Sequence, residues 1–190
     1  IYLSVVNSNI LAYDTKDDTL LFSLSLEAFA DTLGLTANMY DPKAIYDPTE
    51  DRFIMVWLSG NTDSTSNIVV AFSTSADPRD PWHLYALPGD PLEDGTWSDF
   101  PSVAITEGEL FITINALVND TLPPNQIDSW KFLFKETGLW QINKESGYTG
   151  QNLDTRYWND FRFNNKNIRN LFPVQGGFEI AGPDIFFLSN

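Results

Sequence analysis

Asp41, Asp47 and Asp99 are the carboxylates whose positions could carry chemistry, because each lies at the head of a segment that opens a strand-like unit. Glycoside hydrolysis needs two carboxyl groups about 5–10 Å apart, one holding a proton and one acting as base or nucleophile. Each of the three also has a plainer role. An aspartate ahead of proline, or at the start of a tight turn, caps backbone N–H groups. The plainer role is the expected one, and no residue is assigned to catalysis. His83 is the sole histidine, so neither a Ser–His–Asp triad nor a His-rich zinc site is expected. The chain has no cysteine, which removes disulfides and thiolate metal sites together.

Two acidic turns place several oxygens within a few residues, the donor type that Ca²⁺ takes. They are Asp14/Asp17/Asp18 and Asp90/Glu93/Asp94. Neither has the EF-hand glycine and terminal glutamate, so calcium is carried only as an optional cofactor, with Asp14, Asp17 and Asp18 its first candidates. Among the aromatic residues, Trp130 and Trp158 flank loop-like insertions and are the expected exposed pair, suited to stacking on a sugar ring. The other tryptophans are expected in the core. Asn119-Asp120-Thr121 fits a glycosylation sequon, a short pattern that chance also produces.

The formal net charge of −15 repels phosphates and anionic lipids, which argues against nucleic acid as a partner. No apolar run approaches the roughly 20 residues of a spanning helix, and no membrane insertion is expected. The chain starts at Ile1 and ends in the strand-like Phe186–Asn190, and the expectation is a mature chain or, ahead of it, a piece of a longer one.

The positions of these residues depend on a repeat. YDPKAIYDPTEDRF (40–53) sets its pattern: a proline after an acidic or aromatic residue, a turn, then an apolar run. Asp41-Pro42, Phe100-Pro101 and Phe172-Pro173 mark three openings, and FIMVWL, LFITI and IFFL are the runs that follow. Short strands are expected at Ile1–Val6, Ile10–Tyr13 and Leu20–Leu26, then a helical stretch of about two turns over Glu27–Leu35 that Gly34 limits. One full unit has strands at Lys43–Tyr46, Phe53–Leu58, Asn67–Phe72 and Trp82–Leu87. The next has Ser102–Ile105, Leu110–Ile114, an insertion Asn115–Ser129, Trp130–Phe134 and Leu139–Ile142. A turn at Lys144–Gly150, the strand-like Gln151–Trp158 and an irregular polar stretch Asn159–Asn170 follow. The last opening supplies Phe172–Val174 and Asp184–Leu188.

Repeated four-stranded antiparallel meanders hide their apolar faces most economically by radial stacking, as in a β-propeller. The expected organisation is therefore all-β: a blade remnant 1–38, a full blade 39–95, a full blade with insertions 96–165, and the start of another at 166–190. That is about three blades' worth, fewer than the 4–8 of a closed ring, so a partner chain or the remainder of a longer chain would complete it.

Ser75–Trp82 (SADPRDPW) resembles the Asp-box of BNR and sialidase-like propellers. Ser75, Asp77 and Trp82 match its pattern, and Arg79 stands where glycine is usual. The resemblance implies a structural turn between the third and fourth strands, with the Asp bonding backbone amides and the Trp packed beneath. DPKAIYDPTEDRF, SNIVVAFSTSADPRDPW, WSDFPSVAI and NLFPVQGG with GPDIFFLSN are similar to propeller domains of large secreted bacterial proteins. That similarity implies a secreted or cell-surface location without an agreed activity. Sialidase chemistry would require three arginines gripping a carboxylate and a Tyr/Glu pair. Of Arg52, Arg79, Arg156, Arg162 and Arg169, Arg52 is expected to anchor Asp47 or Asp51, and Phe161-Arg162-Phe163 lacks the Ile-Pro of the sialidase FRIP signature.

The expectation is a non-catalytic extracellular recognition or scaffold module whose partner is a glycan or a surface protein. The competing reading is a secreted glycan-active hydrolase or lyase using carboxylates at the blade openings.

Overall fold

Two apolar runs with no polar interruption, FIMVWL and IVVAF, demand burial on both faces of a sheet, because successive side chains of a strand point to opposite sides. In the computed structural model, which describes residues 1–118, 133–175 and 184–189, both runs are central strands. β4 (Met39–Asp47), β5 (Arg52–Ser59), β6 (Asn67–Ser73) and β7 (Trp82–Pro88) form an antiparallel meander in chain order. Ile54, Val56, Leu58, Ile68, Val70 and Phe72 face one side, and Met55, Trp57, Val69 and Ala71 the other; all are buried.

Each face meets another sheet. On one side lie β1 (Tyr2–Val6), β2 (Asn9–Asp14) and β3 (Thr19–Ser25), which contribute Ile10 together with Leu3, Val5 and Phe22. On the other lie β8 (Thr96–Ile105), β9 (Glu109–Val118), β10 (Phe134–Asn143) and β11 (Thr155–Trp158), which contribute Ile105, Leu110, Ile112, Ile114 and Trp140. The far face of this third sheet is covered in turn by the hairpin β14 (Phe172–Pro173) and β15 (Phe187–Leu188): the rings of Phe111 and Phe187 meet edge to face at 6.3 Å, and Thr113 Oγ1 donates to the Leu171 carbonyl at 2.6 Å. The fold is all-β, several antiparallel sheets stacked face to face, two of them four-stranded.

Between β3 and β4 the expected two-turn helix is broken into α1 (Leu26–Phe29), capped by Ser25 Oγ accepting from Ala28 N–H at 3.1 Å, and a 3-10 turn Asp31–Leu33. Gly34 ends it at φ 65°, the left-handed conformation glycine takes without penalty.

Several expected boundaries are corrected. β4 and β8 begin four or more residues earlier than Lys43 and Ser102, with their X-Pro pairs inside the strand. Asp41 and Pro42 sit opposite a single residue of β5, since Tyr40 pairs Leu58 and Lys43 pairs Val56. Phe100 and Pro101 do the same against β9, where Asp99 pairs Asn115 and Ser102 pairs Thr113. Asp41 at φ 53° and Phe100 at φ 55° are the left-handed residues of these two matching β-bulges, which let a strand pass through a proline. β9 extends to Val118, taking in the start of the expected insertion, and β10 starts at Phe134 and takes in Leu139–Ile142, with a register shift between Phe134 and Glu136; residues 130–132 of the expected Trp130–Phe134 strand lie outside the described residues. Lys144–Tyr148 is not a plain turn but a short helix, α2, capped by Asn143. The stretch expected to be irregular holds the small hairpin β12 (Arg162–Phe163) and β13 (Lys166–Asn167). Trp130 and the sequon at 119–121 lie outside the described residues.

Candidate functional site

The two bulges bring two of the three opening carboxylates to the same end of the stack, because β4 packs against β8. Asp41 is exposed and Asp99 half-buried. Burial raises the Asp99 carboxyl above the usual range and the Asp41 charge adds to it, while the Phe100 N–H and Arg169 pull the other way. Beside them Tyr40 donates its hydroxyl to the Gly60 carbonyl at 2.9 Å. Its phenol is pushed up by burial and then by Asp99 and Asp41, so it stays neutral and can donate. Asn115, opposite Asp99 in the ladder, exchanges bonds with Asn170, accepting from its N–H at 3.1 Å and donating to its side-chain oxygen at 2.7 Å. Tyr40 and Arg169 were not singled out by sequence; their only signal is adjacency to the openings.

Asp47 is elsewhere. It closes β4 at the opposite end, is wholly buried, and its Oδ2 accepts from Lys144 Nζ at 2.6 Å and Tyr148 Oη at 3.0 Å while Oδ1 accepts from Thr49 N–H at 3.0 Å. Lys144, on α2 of the next sheet, is only 2% exposed. Burial and then Asp47 raise the Tyr148 phenol far above its ordinary value. This constellation joins two sheets and leaves no lone pair aimed at solvent, so Asp47 is a structural partner. Arg52 does not anchor Asp47; its guanidinium lies over the Tyr148 ring, 5.1 Å from the centroid. A cavity of about 620 Å³ opens above, lined by charged groups including Glu50, Arg52, Glu107, Glu109 and Glu145.

The β6–β7 turn satisfies itself. Ser75 Oγ accepts from Asp77 N–H at 3.0 Å, and Asp77 Oδ1 accepts from Arg79 N–H at 3.0 Å while its carboxylate also receives the Arg79 guanidinium. The Arg79 guanidinium and then its backbone N–H hold the Asp77 carboxyl down to about 2. Trp82 donates its indole N–H to the Pro78 carbonyl at 3.0 Å and packs edge-on against Phe29. Arg79 is thus the partner of Asp77 within this turn.

Asp14, Asp17 and Asp18 form the β2–β3 turn, where Asp14 accepts from Lys16 N–H at 2.9 Å. Among the described residues no three His, Asp or Glu side chains converge as a metal site. Asp90 is committed to its own loop, accepting from Asp94, Gly95 and Thr96 N–H, and Asp94 pairs with Lys135 at 2.5 Å. Trp158 is 47% exposed, its indole N–H bonded to Gln141 Oε1 at 2.9 Å. His83 on β7 lies against the Gly150 turn of the next sheet. Among the described residues no helix is long and apolar enough to cross a membrane. Comparison of the chain with protein-family models, with curated proteins and with solved structures finds no match in any of the three.

Proposed function

We propose that the stacked sheets are blades of a β-propeller, and that this module is a non-catalytic recognition or scaffold element of a secreted or cell-surface protein, binding a glycan or a surface protein. The radial reading is supported by the faces that successive sheets bury against each other and by the matching bulges of β4 and β8. A closed ring takes four to eight blades, so further sheets from the same chain or a partner chain would complete it. One observation carries the non-catalytic reading: Asp47 is wholly buried, held by three hydrogen-bond donors, and lies at the opposite end from Asp41 and Asp99, so the three opening carboxylates do not converge on one pocket.

The half-buried Asp99, raised in pKa and beside Asp41, favours a second reading, a glycan-active hydrolase or lyase in which Asp99 holds the proton. The two readings separate in one assay. The protein is incubated with a panel of nitrophenyl glycosides and with soluble polysaccharides, alongside Asp41→Asn and Asp99→Asn. The recognition reading expects no release above buffer from any of the three. Turnover by the native protein that both variants lose would replace it with the hydrolase reading.

A further inference from the structure

The cavities of this molecule differ in what their walls leave unused. The cleft beside β1 is lined largely by apolar side chains, and the one above Lys144 by charged ones, Glu50, Arg52, Glu107, Glu109 and Glu145 among them. A third, of about 430 Å³, is lined by Thr36, Asn38, Tyr40, Asn61, Thr62 and Thr65, with no charged side chain. It lies where the segment leading into β4 meets the loop after β5, at the same end as Asp41 and Asp99.

We propose that this cavity binds a neutral hydroxyl-rich ligand, a sugar residue of an uncharged glycan. The inference rests on the recognition reading above and names its site and ligand class. The walls offer hydroxyls and carboxamides, which both donate and accept, as sugar hydroxyls require. The Asn38, Asn61 and Thr36 side chains are exposed and make no hydrogen bond within the described residues, so their capacity is directed outward. The Thr62 hydroxyl bonds Thr65 Oγ1 at 2.7 Å and Ser64 Oγ at 3.3 Å, and a hydroxyl with one donor and two acceptor sites keeps one site over after two such bonds.

The site is also held in shape before any ligand arrives. Tyr40 is fixed by its bond to the Gly60 carbonyl, and Gly60 N–H returns a bond to the Asn38 carbonyl at 3.0 Å. Gly60 sits at φ 74°, where a Cβ would come 2.3 Å from the Thr65 carbonyl oxygen. The loop can therefore close on Thr65 only because residue 60 is glycine. A fixed aromatic residue beside fixed hydroxyls lowers the ordering cost of binding. Charge selects among sugars: the field of a chain at −15 opposes uronic and sialic acids and leaves neutral sugars unaffected.

The test uses the whole protein with cellobiose, maltose and N-acetylglucosamine as neutral probes and glucuronate as the anionic counterpart, read by saturation-transfer NMR and by titration. A neutral probe should bind, glucuronate should bind about tenfold more weakly or not at all, and Asn38→Ala with Asn61→Ala should weaken the neutral probe about tenfold. Both asparagines are exposed, and an unchanged circular dichroism spectrum and melting point would show that the fold is retained. No binding by any neutral probe overturns the proposal. So does binding that the double substitution leaves unchanged, although glycan recognition as such would then stand at another site. The recognition reading itself fails only if glycan arrays and cell-surface protein capture are also blank.

Discussion

At the scale of single residues, Asp47 and Lys144 form a charged pair with almost no access to water, so neither can lose its partner cheaply. Lys144→Met should destabilise the protein by about 3–5 kcal/mol, because it leaves the Asp47 carboxylate buried with only Tyr148 and Thr49 as donors. Asp47→Asn with Lys144→Met should recover part of that loss, since no uncompensated charge remains; urea titrations of the single and double variants measure both. A double variant no more stable than Lys144→Met alone would show that packing, not charge, dominates there. Asp99 is the converse case. Its folded-state pKa is raised by burial, so the native state binds its proton more tightly than the unfolded chain does. Its contribution to stability is complete below the ordinary carboxylate range and is lost as pH rises through the raised value. Asp99→Asn should therefore gain stability relative to the native protein as pH rises from the ordinary carboxylate range, about pH 4, toward neutrality. Parallel curves over that range would remove Asp99 as the titrating group. Asp77 runs in the opposite direction: its depressed carboxyl supports the β6–β7 turn at neutral pH, and that support fades as pH falls from the ordinary carboxylate range toward about 2.

At the scale of elements, the bulges and the short helix α2 explain both what the sequence revealed and what it hid. Alternation and apolar runs made the central strands legible, and β5, β6 and β7 fall within a residue of their expected bounds. The Asp41-Pro42 and Phe100-Pro101 pairs look like openings ahead of a strand because proline lacks an N–H, whereas a left-handed residue ahead of the proline keeps the ladder intact on both sides. KESGYTG looked like a turn for its glycines, but Asn143 caps it and Tyr148 packs edge-on against Phe72 with ring centroids 5.0 Å apart, so tertiary contact makes it helical. The buried Lys144–Asp47 pair was invisible because its partners are far apart in sequence, and a lysine in a polar run gives no sign of burial. Two substitutions test these elements. Asp41→Gly should be neutral or mildly stabilising, while Asp41→Val, forced to φ 53°, should cost about 1–2 kcal/mol. Gly147→Ala should lower the melting temperature despite the better helix propensity of alanine, because its Cβ would stand 2.4 Å from the Phe72 ring. Overpacking of about 1–3 kcal/mol outweighs a propensity gain of about 1 kcal/mol.

At the scale of the whole molecule, the stack carries its apolar surface inside and its charge outside, and the two act on stability in opposite senses. Among the described residues the core joins three sheets and a hairpin, and Asp47 and Lys144 are its only fully buried charged residues. The remaining ion pairs among the described residues, Asp77 with Arg79, Asp94 with Lys135 and Asp160 with Arg162, are surface contacts. Such pairs contribute about 0–1 kcal/mol and weaken with salt, but most of the acidic residues have no cation to meet. Their mutual repulsion favours the expanded chain, and salt shortens its reach from about 30 Å at 0.01 M to about 8 Å at 0.15 M. The melting temperature should therefore rise with added sodium chloride over that range, and at fixed ionic strength it should respond little to the choice of monovalent cation. Replacing Glu107 and Glu145, two of the acidic residues around the charged cavity, with glutamine should flatten the salt response, since it removes like charge without touching the core. A melting temperature that falls as salt is added would mean that the surface pairs outweigh the repulsion, and the net charge would then lose its place as the main electrostatic term in the stability of this fold.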